Sequence, residues 1–153
     1  MLYYKNNRFH IGGVAYSLPD DICLISDFER TLNNGFAYKS LDQKILVTIN
    51  TDSISGAEYF YSDRFNSEFC VEEIKPFGYA DVKGLSAMYS TKYNEYYEVR
   101  LNLPRVTDEN NTMIILIEVK KTDYKIKEAI TNKIVVELLL SLRLDLSAPI
   151  FLF

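Results

Sequence analysis

Tryptophan is absent from this chain of 153 residues, histidine occurs once, at His10, and cysteine twice, at Cys23 and Cys70. Structural zinc takes four nitrogen or sulfur ligands at close spacing, and catalytic zinc about three plus water. Three dispersed residues with no Cys-x-x-Cys pair do not supply such a set, so neither a metal nor a cofactor is expected. Cysteine catalysis would need His10 as its base. Its parity, opposite to Phe9 and Ile11, puts His10 at an exposed strand position, and neither cysteine has a reactive setting. No catalytic residue is assigned, and the reading is against an enzyme. Both cysteines read as small buried hydrophobes in a reducing compartment, with a lone disulfide as the alternative.

Long apolar runs are also missing. The start, Met1 to Arg8, lacks the apolar core and small-residue cleavage site of a signal peptide. The most apolar stretch, Ile134 to Leu146, is interrupted by Glu137, Arg143 and Asp145, and falls short of the ~20 residues that cross a bilayer. A cytoplasmic protein without a membrane partner is therefore expected, with a trimmed signal peptide as the alternative.

Positive charge is in deficit: 17 bases face 21 acids, a net charge of -4. Nucleic-acid binding draws its affinity from clustered Lys and Arg releasing counterions. The densest cluster here, Lys120, Lys121, Lys125 and Lys127, is interrupted by Asp123 and answered by Glu118 and Glu128. Nucleic acid is excluded as a partner on that pattern. Among the acids, Asp20-Asp21 follows Pro19 and reads as a turn. Neighbours in a strand point to opposite faces, so Glu72 and Glu73 cannot converge on a substrate as a glycosidase pair does.

What is present is the composition of an ordinary globular chain, 48% hydrophobic and 25% charged, read as a single domain spanning 1–153. A chain of this length buries roughly 68–70% of its unfolded surface and needs no staples. Short strands fill its first third. The alternation of Phe9 and Ile11 with Val14, Tyr16 and Leu18 slips at Gly12-Gly13, which predicts a bulge or sharp bend. The glycine pair lacks the Lys-Ser/Thr of a phosphate loop. Ile22 to Ile25 is a short strand, and Asn33-Asn34-Gly35 a turn. Phe36 to Ser40 and Lys44 to Asn50 form a hairpin with Ile45, Val47 and Ile49 toward the core.

Ser55 and Glu58 have the spacing of a capping box, and Ala57, Tyr61 and Phe65 with Phe60 and Phe69 predict a helix over 55–67. Tyr59-Phe60-Tyr61 could stack on a ligand, but packing one side of the trio in the core is the preferred use. Glu72 to Lys75 is a strand ended by the loop Pro76-Phe77-Gly78. Residues 85–91 and 96–103 alternate as the clearest hairpin, one face buried and the other, with Glu98 and Arg100, polar. A polar loop spans Pro104 to Asn111. Met113 to Val119 is apolar on both faces, so this strand lies inside the sheet. A long helix, 123–144, presents Ile126, Ile130, Ile134, Val135, Leu138 and Leu142 in one stripe. The run Val135 to Leu140, apolar nearly all round, is buried or shared with a partner.

The phrases Ile11 to Asp21 (IGGVAYSLPDD), Lys83 to Tyr89 (KGLSAMY), Tyr96 to Leu101 (YYEVRL) and Leu138 to Arg143 (LLLSLR), in this order of strands and helices, resemble the PsbP-like fold. That superfamily joins plant photosystem extrinsic proteins, a Ran-binding nuclear import factor family and bacterial DcrB-like proteins, including chaperones for secreted effectors. The resemblance covers about 130 residues and implies an α+β fold, an antiparallel sheet packed by helices as an α/β/α sandwich. It implies protein binding more than catalysis and carries over no site residue.

The leading expectation is thus a non-enzymatic protein- or peptide-binding module, such as a small bacterial chaperone or adaptor. Its 12 tyrosines and 9 phenylalanines suit an interface as well as a core. The alternatives are a small-ligand binder or enzyme with a pocket between sheet and helix, and a homodimer. The apolar tail singles out Ile150, Phe151, Leu152 and Phe153 as interface candidates, docked on their own domain or on another chain.

Overall fold

The computed structural model describes residues 3–5, 8–25, 36–107 and 110–146. In chain order the elements are β1 (Tyr3–Lys5), β2 (Arg8–Ile11), β3 (Val14–Ser17), β4 (Ile22–Leu24), β5 (Phe36–Ser40), β6 (Ile45–Asp52), α1 (Gly56–Phe60) and α2 (Asp63–Glu68). There follow β7 (Cys70–Tyr79), β8 (Val82–Ser90), β9 (Asn94–Thr107), β10 (Asn110–Lys120), α3 (Ile126–Ala129), α4 (Lys133–Ser141) and β11 (Arg143–Leu144). A seven-stranded sheet has the order β4-β5-β6-β10-β9-β8-β7, and a four-stranded one the order β1-β2-β3-β11. All pairings among the described residues are antiparallel. The fold class is α+β.

The strand apolar on both faces, β10, lies at the centre of the larger sheet, between β6 and β9. Its Met113, Ile115, Ile117 and Val119 join Ile45, Val47 and Ile49 of β6 and Tyr97, Val99, Leu101 and Leu103 of β9 in the main core. Phe9, Ile11, Val14 and Tyr16 of the small sheet, with Ile126, Ile134, Val135, Leu138 and Leu142, close that core from above. Each such side chain taken fully out of water contributes about 1.5–3 kcal/mol. The buried Tyr38 hydroxyl donates to the Ile134 carbonyl at 2.8 Å. Burial, then the nearby Glu137 charge, raises the pKa of that phenol. The opposite face carries a second, aromatic cluster of Phe60, Phe65, Ala87 and Tyr89 beneath α1 and α2.

Both expected helices are broken in two, each by a residue that re-caps the chain. Ser62, extended at φ -72 and ψ 149, accepts from the Phe65 N–H and starts α2. The restart turns the helix, so Phe60 and Phe65 are buried while Ala57 and Tyr61 face solvent. Asn132 likewise accepts from the Ile134 N–H and starts α4, and the Thr131 hydroxyl donates back to the Glu128 carbonyl at 2.7 Å. Short polar side chains compete with the helical ladder in this way. The apolar stripe survives the break, but Leu140 is 56% exposed, so the run to Leu140 is not buried all round.

Other expectations need correcting. Pro76-Phe77-Gly78 is no loop: β7 runs through it, which proline permits because β7 is an edge strand. Pro104 lies within β9, beyond the last residue of β8 pairing, where no neighbour needs its N–H. The slip at Gly12-Gly13 is a two-residue hairpin turn with φ 55 and 88, the combination a type I′ turn requires. His10 is buried, not exposed, because the β2–β3 hairpin is covered on both sides. Cys70 is exposed and Cys23 half-buried, not core residues, since each sits on an edge strand. The Asn33-Asn34-Gly35 turn lies outside the described residues.

A second two-residue turn, Ala80-Asp81, joins β7 to β8 with φ 50 and 69 and no glycine. A side chain in this left-handed region costs roughly 1–2 kcal/mol. The double change Ala80→Asn/Asp81→Gly, the preferred type I′ pair, is expected to stabilise the chain by about 1 kcal/mol and to raise Tm by roughly 2–4 °C. An unchanged or lower Tm in thermal unfolding would contradict this turn geometry.

Candidate functional site

The β3–β4 connection carries the chain from the small sheet to the edge of the large one. Pro19 fixes its entry, and Asp21, in the left-handed region at φ 58, reverses it. Ile22 and Leu24 of β4 share a face with their β5 partners Ser40 and Tyr38. This is the face that the small sheet covers elsewhere. At the margin a hollow of about 610 Å³ opens among the described residues, between the two sheets. Phe9 and Phe36, whose rings meet edge to face at 5.1 Å, form its floor. Leu18, Pro19 and Ile22 form one wall, and Leu24 and Leu41 the lip. Those two leucines are 59% and 63% exposed, so apolar surface continues from the hollow to solvent. Asp20 and Asp21 are the charged residues among the described lining residues. The outer edge of β4 has no neighbouring strand among the described residues.

On the opposite face lies a smaller depression of about 160 Å³, lined by Lys39, Lys44, Lys120, Glu118, Asp123 and Asn94. Charges of both signs meet there, so it offers no single-signed field for a ligand.

The densest polar chemistry is buried beneath α1 and α2. The Glu98 carboxylate, 3% exposed, accepts from Arg100 Nε at 2.6 Å and from the Tyr89 hydroxyl at 2.5 Å. Arg100 Nη1 donates to Asp52 Oδ2 at 3.1 Å and to the Ile54 carbonyl at 2.9 Å. The guanidinium stacks on the Tyr59 ring, 3.7 Å from its centroid. Burial and then the Glu98 charge raise the Tyr89 pKa. The expectation that Glu98 and Arg100 occupy an open polar face is therefore overturned: α1 and α2 cover them, and the two charges satisfy each other. These buried charge-assisted bonds tie β8 and β9 to the segment before α1 and read as part of what holds the fold together.

The remaining sequence-level candidates do not converge. Cys23 and Cys70 are free and stand on the opposite edge strands β4 and β7. Six strand spacings part them, roughly 28 Å, against about 7 Å for the Cα atoms of a disulfide. His10, in the small sheet, faces Asp145 with Nδ1 at 3.6 Å from Oδ2. Burial lowers its pKa and Asp145 partly restores it. Glu72 pairs with Lys127 at 3.0 Å and Glu73 with Lys75 at 3.8 Å. Among the described residues no three His, Cys, Asp or Glu side chains group as a metal site would, and no helix is long and apolar enough to cross a membrane. Ile150, Phe151, Leu152 and Phe153 lie outside the described residues.

No protein-family model and no curated protein matches the chain. It is similar in structure to a solved protein from Bacteroides thetaiotaomicron, with a TM-score of 0.45 and 14% identity over 92% of this chain and 49% of that one. The chain thus spans about half the length of that structure.

Proposed function

We propose that the chain is a non-enzymatic protein- or peptide-binding module, of the kind a small bacterial chaperone or adaptor uses, and that it receives an extended segment at the hollow beside β4. The observation that carries this reading is the coincidence of an apolar hollow, two exposed leucines on its lip and a strand edge with no neighbouring strand among the described residues. Strand addition supplies main-chain hydrogen bonds, and a pocket for alternate side chains supplies selectivity. The other edge suits it less: β7 carries a register shift between Val71 and Glu73, a proline and several charges, devices that keep strands from pairing. The PsbP-like resemblance points the same way, toward binding. A reducing, cytoplasmic setting accords with two thiols too far apart to pair.

The volume of the hollow also falls within the range of small-ligand pockets, roughly 300–1,000 Å³, which favours a small-molecule binder as the second reading. It would lie at the sheet margin and not between sheet and helix. Fluorescence anisotropy with labelled extended peptides bearing Leu or Phe anchors separates the two. Binding tighter than about 1 mM, equivalent to roughly 4 kcal/mol, is expected for the native chain, with at least a tenfold loss in Leu24→Asp and in Leu41→Asp. Failure of every peptide, with small-molecule hits in a thermal-shift screen, would replace the peptide reading by the second.

A further inference from the structure

We infer that the hollow selects a segment of the pattern apolar-x-basic, with a bulky apolar anchor two residues before a lysine or arginine. The inference rests on the peptide-binding reading and adds to it the chemistry and direction of the partner.

Charge is the first argument. Asp20 and Asp21 are exposed and lie on the rim of a hollow whose other described lining residues are apolar. Among the described residues no lysine, arginine or histidine forms an ion pair with either. The chain itself is negative, at -4. A cation brought beside the two carboxylates meets attraction from both, and among the described lining residues it meets no base, whereas an acidic segment meets the reverse.

Register is the second argument. Ile22 and Leu24 turn the same way, toward the hollow, and Asp20-Asp21 immediately precede them in the chain. Every strand pairing among the described residues is antiparallel. A segment added to β4 in the same sense therefore runs from the Leu24 end at its N-terminal side to the aspartates at its C-terminal side. Residues on one face of a strand recur every second position, about 7 Å apart. An anchor placed over the hollow thus puts the residue two positions later on the same face, at the acidic rim.

Exposed ion pairs are modest, so two together should alter affinity by about three- to tenfold and weaken in salt. The test uses labelled nonapeptides centred on Leu-Thr-Arg, Leu-Thr-Gln, Leu-Thr-Glu and the reversed Arg-Thr-Leu, with the native chain and with Asp20→Asn/Asp21→Asn. Asparagine tolerates the left-handed conformation of Asp21, so the variant keeps the turn. Leu-Thr-Arg is expected to bind about tenfold more tightly than Leu-Thr-Glu at low salt. That preference should fall below about twofold in the double variant and at high salt, with Leu-Thr-Gln unaffected. Equal binding of Leu-Thr-Arg and Leu-Thr-Glu, both lost in Leu24→Asp, would overturn the charge selection while leaving the peptide-binding reading in place. A preference for Arg-Thr-Leu would overturn the antiparallel direction. Failure of every peptide would overturn both the inference and the reading beneath it.

Discussion

Gly84→Ala is expected to lower stability by about 3 kcal/mol or more, and Tm by roughly 6–12 °C, since the Cβ it adds makes the tightest approach of any at the described glycines. Gly84 lies in β8 opposite Leu101 of β9. A Cβ there would stand 1.9 Å from the Arg100 carbonyl oxygen, 2.8 Å from its carbonyl carbon and 2.9 Å from Leu101 Cα. All three are backbone atoms of the adjacent strand, so no side-chain rotation relieves the overlap. The strands must separate where β9 also delivers Arg100 to its buried partners. Phe77 of β7 is the cross-strand neighbour on the other side, so the glycine lies between two ladders that would both shift. Gly78→Ala is the control, since a Cβ at Gly78 meets nothing within 4 Å. Urea melts giving less than about 1 kcal/mol for Gly84→Ala would mean that β8 and β9 do not approach as described.

How much of this fold could be read beforehand follows from which signals are periodic. Strict alternation placed Ile45, Val47 and Ile49 in the core, and the two-faced apolar pattern of Met113 to Val119 put β10 at the centre of the sheet. Those signals are local and strong, because a period of two leaves only one way to face a core. Helix continuity was not legible: Ser62 and Asn132 look like ordinary polar residues of an amphipathic stripe until a cap is seen to break it. Pro76 and Pro104 read as loop markers because a sequence does not reveal which strands lack a neighbour. His10 was misplaced for a related reason, since parity shows which residues share a face but not whether a second layer covers the other.

The candidate site was less visible still. Leu24 and Leu41 belong to a three-residue strand and a turn, neither of which has a period, and only the ending of the small sheet beside them makes a hollow. Asp20-Asp21 reads from sequence as turn chemistry, which is correct for the backbone and incomplete for the rim it places there. Glu98 and Arg100 carried one readable hint. Two opposite charges at i and i+2 in a strand share a face, and a face that carries both can be closed over them.

That closure leads to the second large effect. Arg100→Met is expected to cost about 3–5 kcal/mol, because it strips the Glu98 carboxyl, 3% exposed, of its charged partner and leaves the Tyr89 hydroxyl as its partner. The loss should not scale with the number of contacts removed. Asp52 retains access to water, with its side chain 31% exposed, and can replace the guanidinium by hydration. Glu98 cannot. Replacing the whole buried set in Glu98→Leu/Arg100→Met/Tyr89→Phe leaves no orphaned charge and no orphaned phenol, and apolar groups of similar size often substitute for such sets at little cost. The triple variant is therefore expected to be more stable than Arg100→Met alone, by about 2 kcal/mol, a non-additivity that only coupled groups produce. Urea denaturation of the single and triple variants measures it. If the triple variant were weaker than the single by the sum of its parts, the network would be a set of independent contacts, and α1 and α2 would owe their position to the aromatic cluster alone.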